Sequence, residues 1–422
     1  MVELFHYILI GICLMIVIWT MIKVERIYQF PFFMAAIIIM FILPQVTALI
    51  NNPGPVTPQM IVQVLIMTCL CLIMCCVGYN FAPNRKLLYK FQNHLDEKKL
   101  LNAGIFLTAM GCVFSILTHA EARNFQKAQP WTGSITIFVT FAAVIYVGFA
   151  IFLLQLLQKP SAINIAGTVI AAFPIIQTVL NGRRQPTMTF LIIIGFCIWF
   201  RLKLAPPRWV VIIGIIAGVY VIPMLAGLRG NFWTLVFQQD WETLKIIADL
   251  SFNSLQSGKI LELRNAALAM DAATLSNKYE YGAGYWNAFI FQYIPGQILG
   301  YDFKNSIQFS LNRELLIRSY GYVFTVGTTW TGIGDSYLQF GYFGSLIFAV
   351  IGNLFKTLWV SSVYHRSITA TLLMIGLISP AMVSITHGTE RFLQEFIFQV
   401  IIISLVAYYA RFTSKRRIIS DF

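Results

Sequence analysis

The sequence predicts an all-α fold, a polytopic bundle of about eleven membrane-crossing helices that carries one large external loop. Three observations support this. Hydrophobic residues make up 58% of the chain and charged residues only 11%, against about 25% charge in soluble domains; mean hydropathy is +0.73. Apolar runs of roughly 20 residues, the length that crosses a hydrocarbon core, recur from one end of the chain to the other. Lys and Arg punctuate those runs and concentrate on alternate connections, as topology demands.

The expected spans lie near 5–22, 31–49, 59–82, 100–118, 134–157, 161–180, 187–202, 209–227, 333–359, 368–386 and 396–410. The first run, Phe5 to Met21, has no basic stretch before it and no small-residue cleavage site after it, so it reads as a retained helix. Placing the N-terminus outside puts sixteen Lys and Arg on the inner segments and five on the short outer loops. That asymmetry orients the chain N-outside, C-inside. Residues 1–422 then form a single integral membrane domain, with the external loop at about 228–331 inserted between spans. Within that loop Leu244, Ile247, Leu250, Leu255, Leu261 and Leu268 recur among polar residues, the pattern of amphipathic helices lying on the membrane or capping the bundle.

The net charge of +13 is spread between apolar runs rather than gathered on one face, which excludes nucleic acid as a partner and leaves membrane lipids. Cys69, Cys71, Cys75 and Cys76 crowd inside an apolar span without His or acidic neighbours. They read as small hydrophobes, so no metal and no cofactor is expected.

Polar groups gather at the outer ends of the spans. Arg183, Arg184, Arg229, Arg313, Arg318 and Arg391 lie there or in the loop; the planar guanidinium fork suits a diphosphate, and it equally suits phospholipid headgroups or local acids. Asp335 stands where a long apolar run begins, either as a functional carboxylate or as the cap of that helix. His387 and Glu390 lie three apart in Thr-His-Gly-Thr-Glu-Arg, read as a short external turn; either suits a general base or plain solvation. The segment 279–293 holds seven aromatics in fifteen positions, among them Tyr281, Tyr285 and Trp286. Such rings stack on sugars or anchor at the headgroup level.

With these residues in view, the chain resembles the bacterial oligosaccharide repeat-unit polymerases, the Wzy-like O-antigen and capsule polymerases. Arg184 is followed eleven positions later by Gly195 at the opening of a span, Arg229 follows another span, and Gly327 to Tyr337 with Phe340, Gly341 and Gly344 forms a glycine-rich lead into the next helix. Arg313 and Arg318 lack the Gly eleven positions on, a departure from members with a second such motif in the large loop. The resemblance implies a metal-independent glycosyltransferase of the bacterial inner membrane with its site facing the periplasm. Its donor and acceptor would both be undecaprenyl-diphosphate-linked oligosaccharides, and its partners a chain-length regulator and a flippase. On that reading the arginines hold diphosphate, Asp335, His387 or Glu390 supplies the base, and the aromatics hold glycan. The competing readings are an O-antigen ligase, which moves finished glycan to lipid A core or protein, and a polysaccharide flippase or transporter. The near absence of charge at span centres argues against the last.

Overall fold

The computed structural model describes residues 1–92, 94–122, 134–227, 232–256, 261–311, 313, 318–323 and 328–411. Among them the backbone is helical almost throughout, as a chain immersed in lipid requires, because a helix satisfies its own N–H and C=O groups without water. The helices used below are α1 (Val2–Ile22), α2 (Phe30–Asn51), α3 (Pro58–Asn80), α4 (Glu97–Ala122), α5 (Ser134–Gln158), α6 (Ala162–Leu180), α7 (Arg184–Leu202) and α8 (Arg208–Gly227). They continue with α9 (Trp241–Gln256), α10 (Glu262–Ser276), α11 (Ala283–Tyr293), α12 (Thr331–Phe340), α13 (Leu346–Val363), α14 (Ile368–Thr386) and α15 (Thr389–Tyr409).

Ten segments among the described residues are long and apolar enough to cross a membrane, with α12 and α13 counted as one. The expected span at 209–227 falls on the 20-residue helix α8, which is not among those ten. The expected span at 333–359 is not one continuous helix. α12 ends at Gly341, whose φ of +59° suits glycine, and a tight turn over Gly341–Ser345 leads into α13. A Cβ on Gly344 would sit 1.9 Å from the Ser336 carbonyl, so only glycine lets the chain fold back this closely. α2 is also irregular, with a wide turn over Ile38–Ile42; Pro44 follows, and its ring cannot sit against the carbonyl four residues back, at Met40.

Packing inside the bundle depends on small residues, since lipid supplies no hydrophobic drive between helices. α3 and α13 meet reciprocally: a Cβ on Gly78 would lie 1.9 Å from the Ala349 carbonyl, and one on Gly352 would lie 2.4 Å from that of Cys75. Cys69, Cys71 and Cys75 are buried in α3 beside this seam. α14 runs through the middle, with 83% of its apolar window buried.

Alternate helix ends define two faces. On the plain face, Leu95 pairs with Arg411, Asp96 N–H donates to Ala410 O at 2.8 Å, and Lys159 bridges Glu97 at 2.8 Å. The other face carries the described residues between 232 and 330. There α9 packs on α8 and on the second half of α2, in keeping with an amphipathic helix. α10 departs from that expectation: Leu263 through Ala269 are all buried, and the helix enters the bundle between α3 and α12. Its alanines permit this, since Gly334 approaches Ala266 so closely that a Cβ there would lie 2.8 Å from the alanine methyl. The buried Arg264 donates to the carbonyls of Asn52 at 2.5 Å and Pro53 at 3.3 Å, meeting the negative end of α2.

The close α3–α13 contact yields a test. Gly352→Ala forces two backbones apart and lowers the thermal unfolding midpoint of the detergent-solubilised protein, by an amount corresponding to about 1–3 kcal/mol. Gly11→Ala, inside α1 with nothing within 4 Å of the added carbon, does not lower the midpoint.

Candidate functional site

On the loop-bearing face one guanidinium gathers three carboxylates. Arg313 donates a fork of hydrogen bonds to both oxygens of Glu280 and reaches Asp335 Oδ1 at 3.1 Å. Glu390 Oε2 lies 3.8 Å from its other terminal nitrogen. The side chains of Arg313, Glu280 and Asp335 are 12%, 11% and 1% exposed, whereas Glu390 is 30% exposed. Gln339 also donates to Glu280 and accepts from the Gly282 N–H at 2.9 Å, while the Glu280 and Tyr281 N–H groups donate to the Leu338 and Gln339 carbonyls. The segment 280–282 is therefore bound to the end of α12.

Asp335 does cap a helix, but not its own. Its Oδ2 accepts from the Thr389 N–H at 2.9 Å, the Thr389 hydroxyl at 2.6 Å and the Glu390 N–H at 3.3 Å, all at the start of α15. A carboxylate at a helix N-terminus satisfies open N–H groups and meets the positive end of the dipole. This explains why α15 starts at Thr389 rather than near 396, and why Glu390 and Arg391 belong to its first turn rather than to an external loop. Both oxygens of Asp335, read in the sequence as a candidate base, are thus hydrogen-bonded within the fold.

Two more expectations change. Arg313 is committed to carboxylates and is not placed to clamp a diphosphate. Tyr285 turns inward and shares a 2.7 Å hydrogen bond with the Thr389 hydroxyl, so it braces the cap instead of presenting a face to glycan. Tyr281 is 73% exposed and Trp286 45% exposed, with the indole N–H donating to Ile307 O at 2.7 Å. Arg318 is exposed and stands apart from the cluster, and Arg229 lies outside the described residues.

A second group adjoins the first across the turn His387–Gly388. Arg183 and Arg184 start α7 half-buried, where the helix dipole adds positive potential. Arg391 is exposed on α15 and donates to Gln394 at 3.2 Å. His387 is bonded to the Thr386 hydroxyl at 2.7 Å. Its ring opens to the mouth, yet the packed surroundings strip enough water that burial, followed by the charges of Arg391 and Arg184, lowers it to about 4. It is neutral at pH 7. Glu262, at the start of α10, is raised to about 7 by burial, against the pull of Arg184 and a bond from Gln45. The group thus presents three arginines, a neutral imidazole and a carboxyl that is half-protonated near neutrality, an arrangement that favours an incoming anion.

Comparison with protein-family models, curated proteins and solved structures returned no match to this chain.

Arg313, Asp335, Glu390 and Tyr285 each stand out in the sequence, but separately, whereas Glu280, Gln339, Thr389 and Glu262 enter only with the structure. Glu280 did carry a signal, as the one charge in an aromatic run. Thr389 and Gln339 carried none.

Removing the central cation should be costly. Arg313→Gln leaves buried carboxylates facing one another and destabilises the protein by about 3–5 kcal/mol, measured by thermal unfolding in detergent. The outer group predicts opposite pH signs. Glu262 holds its proton more tightly in the fold than its ordinary 4.5, so its contribution to stability is present below pH 4.5 and lost as pH rises through about 7. Glu262→Gln therefore raises the unfolding midpoint above pH 7 and not below 4.5. His387 is depressed from 6.5, so its contribution is present above pH 6.5 and lost as pH falls through about 4. His387→Gln removes that acid-side loss.

Proposed function

We propose that this chain is a membrane-embedded glycosyltransferase that polymerises polyprenyl-diphosphate-linked oligosaccharide repeat units, with its site on the loop-bearing face. The observation that carries the reading is the pairing, across one short turn, of the Arg184 and Arg391 group with a carboxylate cluster of which only Glu390 is substantially open. Glycosyl transfer from a lipid diphosphate needs that combination, cations where a leaving group gains charge and an open base where an acceptor hydroxyl loses its proton. The basic asymmetry of the connections supports an N-outside orientation, which puts this face in the periplasm of a bacterial inner membrane.

In the proposed step the acceptor sugar's hydroxyl oxygen bonds to the anomeric carbon of the donor glycan as the bond from that carbon to the diphosphate oxygen breaks. The hydroxyl proton passes to Glu390, and undecaprenyl diphosphate departs with the bonding electron pair. Arg184 and Arg391 take up the charge that grows on the diphosphate, a gain realised in the transition state more than in the ground state. Protonation of Glu390 removes one of three negative charges facing a single guanidinium. Asp335 and Tyr285 hold Thr389, and thereby fix the turn on which Glu390 sits.

The test uses purified full-length protein in lipid nanodiscs and lipid-linked repeat units extracted from cells that make it, with products sized on a gel. Wild type yields a ladder. Glu390→Gln lowers the rate by about 100-fold or more, and Arg184→Ala and Arg391→Ala each lower it by about 100- to 1,000-fold. Full ladders from all three variants overturn the residue roles. Glycan appearing on added lipid A instead of in a ladder identifies a ligase, and no new glycosidic bond from wild type ends the glycosyltransferase reading.

A further inference from the structure

An open cavity of about 820 Å³ lies against the folded loop, and Glu280 and Arg313 form the wall that it shares with the ion cluster. The volume falls within the range of small-molecule sites, roughly 300–1,000 Å³, and exceeds what one sugar ring fills. We propose that this cavity is an oligosaccharide subsite, which holds sugar rings of a lipid-linked glycan beside the reacting bond rather than at it; this rests on the glycosyltransferase reading.

The wall chemistry selects the ligand class. Tyr279, Phe309 and Tyr320 bring ring surface to the cavity, and Ser276, Lys278 and Glu280 bring polar groups. A lipid tail would need a wall without those charges. A phosphate-bearing ligand would meet the Glu280 carboxylate in the same wall, where Arg313 is already held by carboxylates and Lys278 is the one further cation among the described residues. A glycan needs what is present: flat faces for its C–H surfaces and charged or hydroxyl groups for its many O–H groups. The rings are also held in place. Tyr320 donates to Asp271 at 2.5 Å, and Tyr279 packs edge-on against Tyr281 and Tyr337, with centroids 6.2 and 6.1 Å apart. Fixed rings bind at lower entropic cost than mobile ones. The exposed Tyr281, held at φ +49° by its bond to Gln339 O, continues the aromatic surface outward from the rim.

Glu280 and Arg313 each serve both places, so glycan seated in the cavity lies next to the residues that hold Asp335 and Glu390. The sugar-binding role expected of Tyr285 and Trp286 passes to Tyr279 and Tyr320, with Tyr281 at the edge.

The experiment separates binding from turnover. Oligosaccharide freed by mild acid from the lipid-linked pool of the producing cells is added to full-length protein in nanodiscs, and binding is followed by saturation-transfer NMR. Wild type binds it. Ser276→Trp, which fills the cavity from an exposed position at the end of α10, and Tyr279→Ala, which removes a wall, each weaken binding about tenfold. Absence of binding to wild type, or unchanged affinity in both variants, overturns the proposal. A polymer ladder from lipid-linked units without cavity binding sinks only the subsite; cavity binding without any glycosidic bond formed sinks the catalytic reading and leaves the subsite standing.

Discussion

Arg313 holds together elements that are far apart in the chain, the loop at Glu280, α12 at Asp335 and the start of α15 at Glu390. The setting is nearly dry, and removing a charge from water costs several kcal/mol. A planar fork offsets that cost where a lysine would not, because parallel N–H bonds from Nε and Nη2 meet Glu280 while Nη2 also bonds Asp335. The cluster is deliberately unbalanced, with three carboxylates around one guanidinium. Its surplus negative charge falls beside Glu390, the member most open to water. On the proposed reading, structural anchoring and an open base thus come from the same arrangement.

That anchor depends in turn on close backbone packing. α12 is buried along its length, and it can be so only because Gly332 admits the Ser384 carbonyl and Gly334 admits Ala266. Tyr337 then meets Gln63 at 2.8 Å and Thr274 at 2.9 Å, joining α3, α10 and α12. The large loop is therefore not an appendage laid over a finished bundle. One of its helices completes the core, and its folded segment 280–282 forms the wall of the charged cluster.

The fold was legible from hydropathy because ten of its segments each satisfy a length and composition rule that a bilayer imposes on any chain. Boundaries failed where a tertiary contact set them. Asp335 starts α15 seven residues before its apolar run, and Gly344 folds α12 back before α13. α10 resembled a surface helix because Arg264, Asn265 and Glu262 punctuate it. Its burial depends on partners, Asn52, Pro53 and Thr328 among them, that no local pattern announces.

The sequence by itself determined a polytopic helical bundle, the alternation of a plain and an elaborated face, and a supply of arginines, acids and aromatics at one set of helix ends. Those are properties of composition and spacing. Which arginine is spent on carboxylates and which remains near the mouth, and which acid caps a helix while another stays open, only the tertiary structure decided. An ionisable side chain's role follows from its neighbours' charge and from the water it loses, and here those neighbours lie up to 203 residues away in the chain, as Arg184 and His387 do.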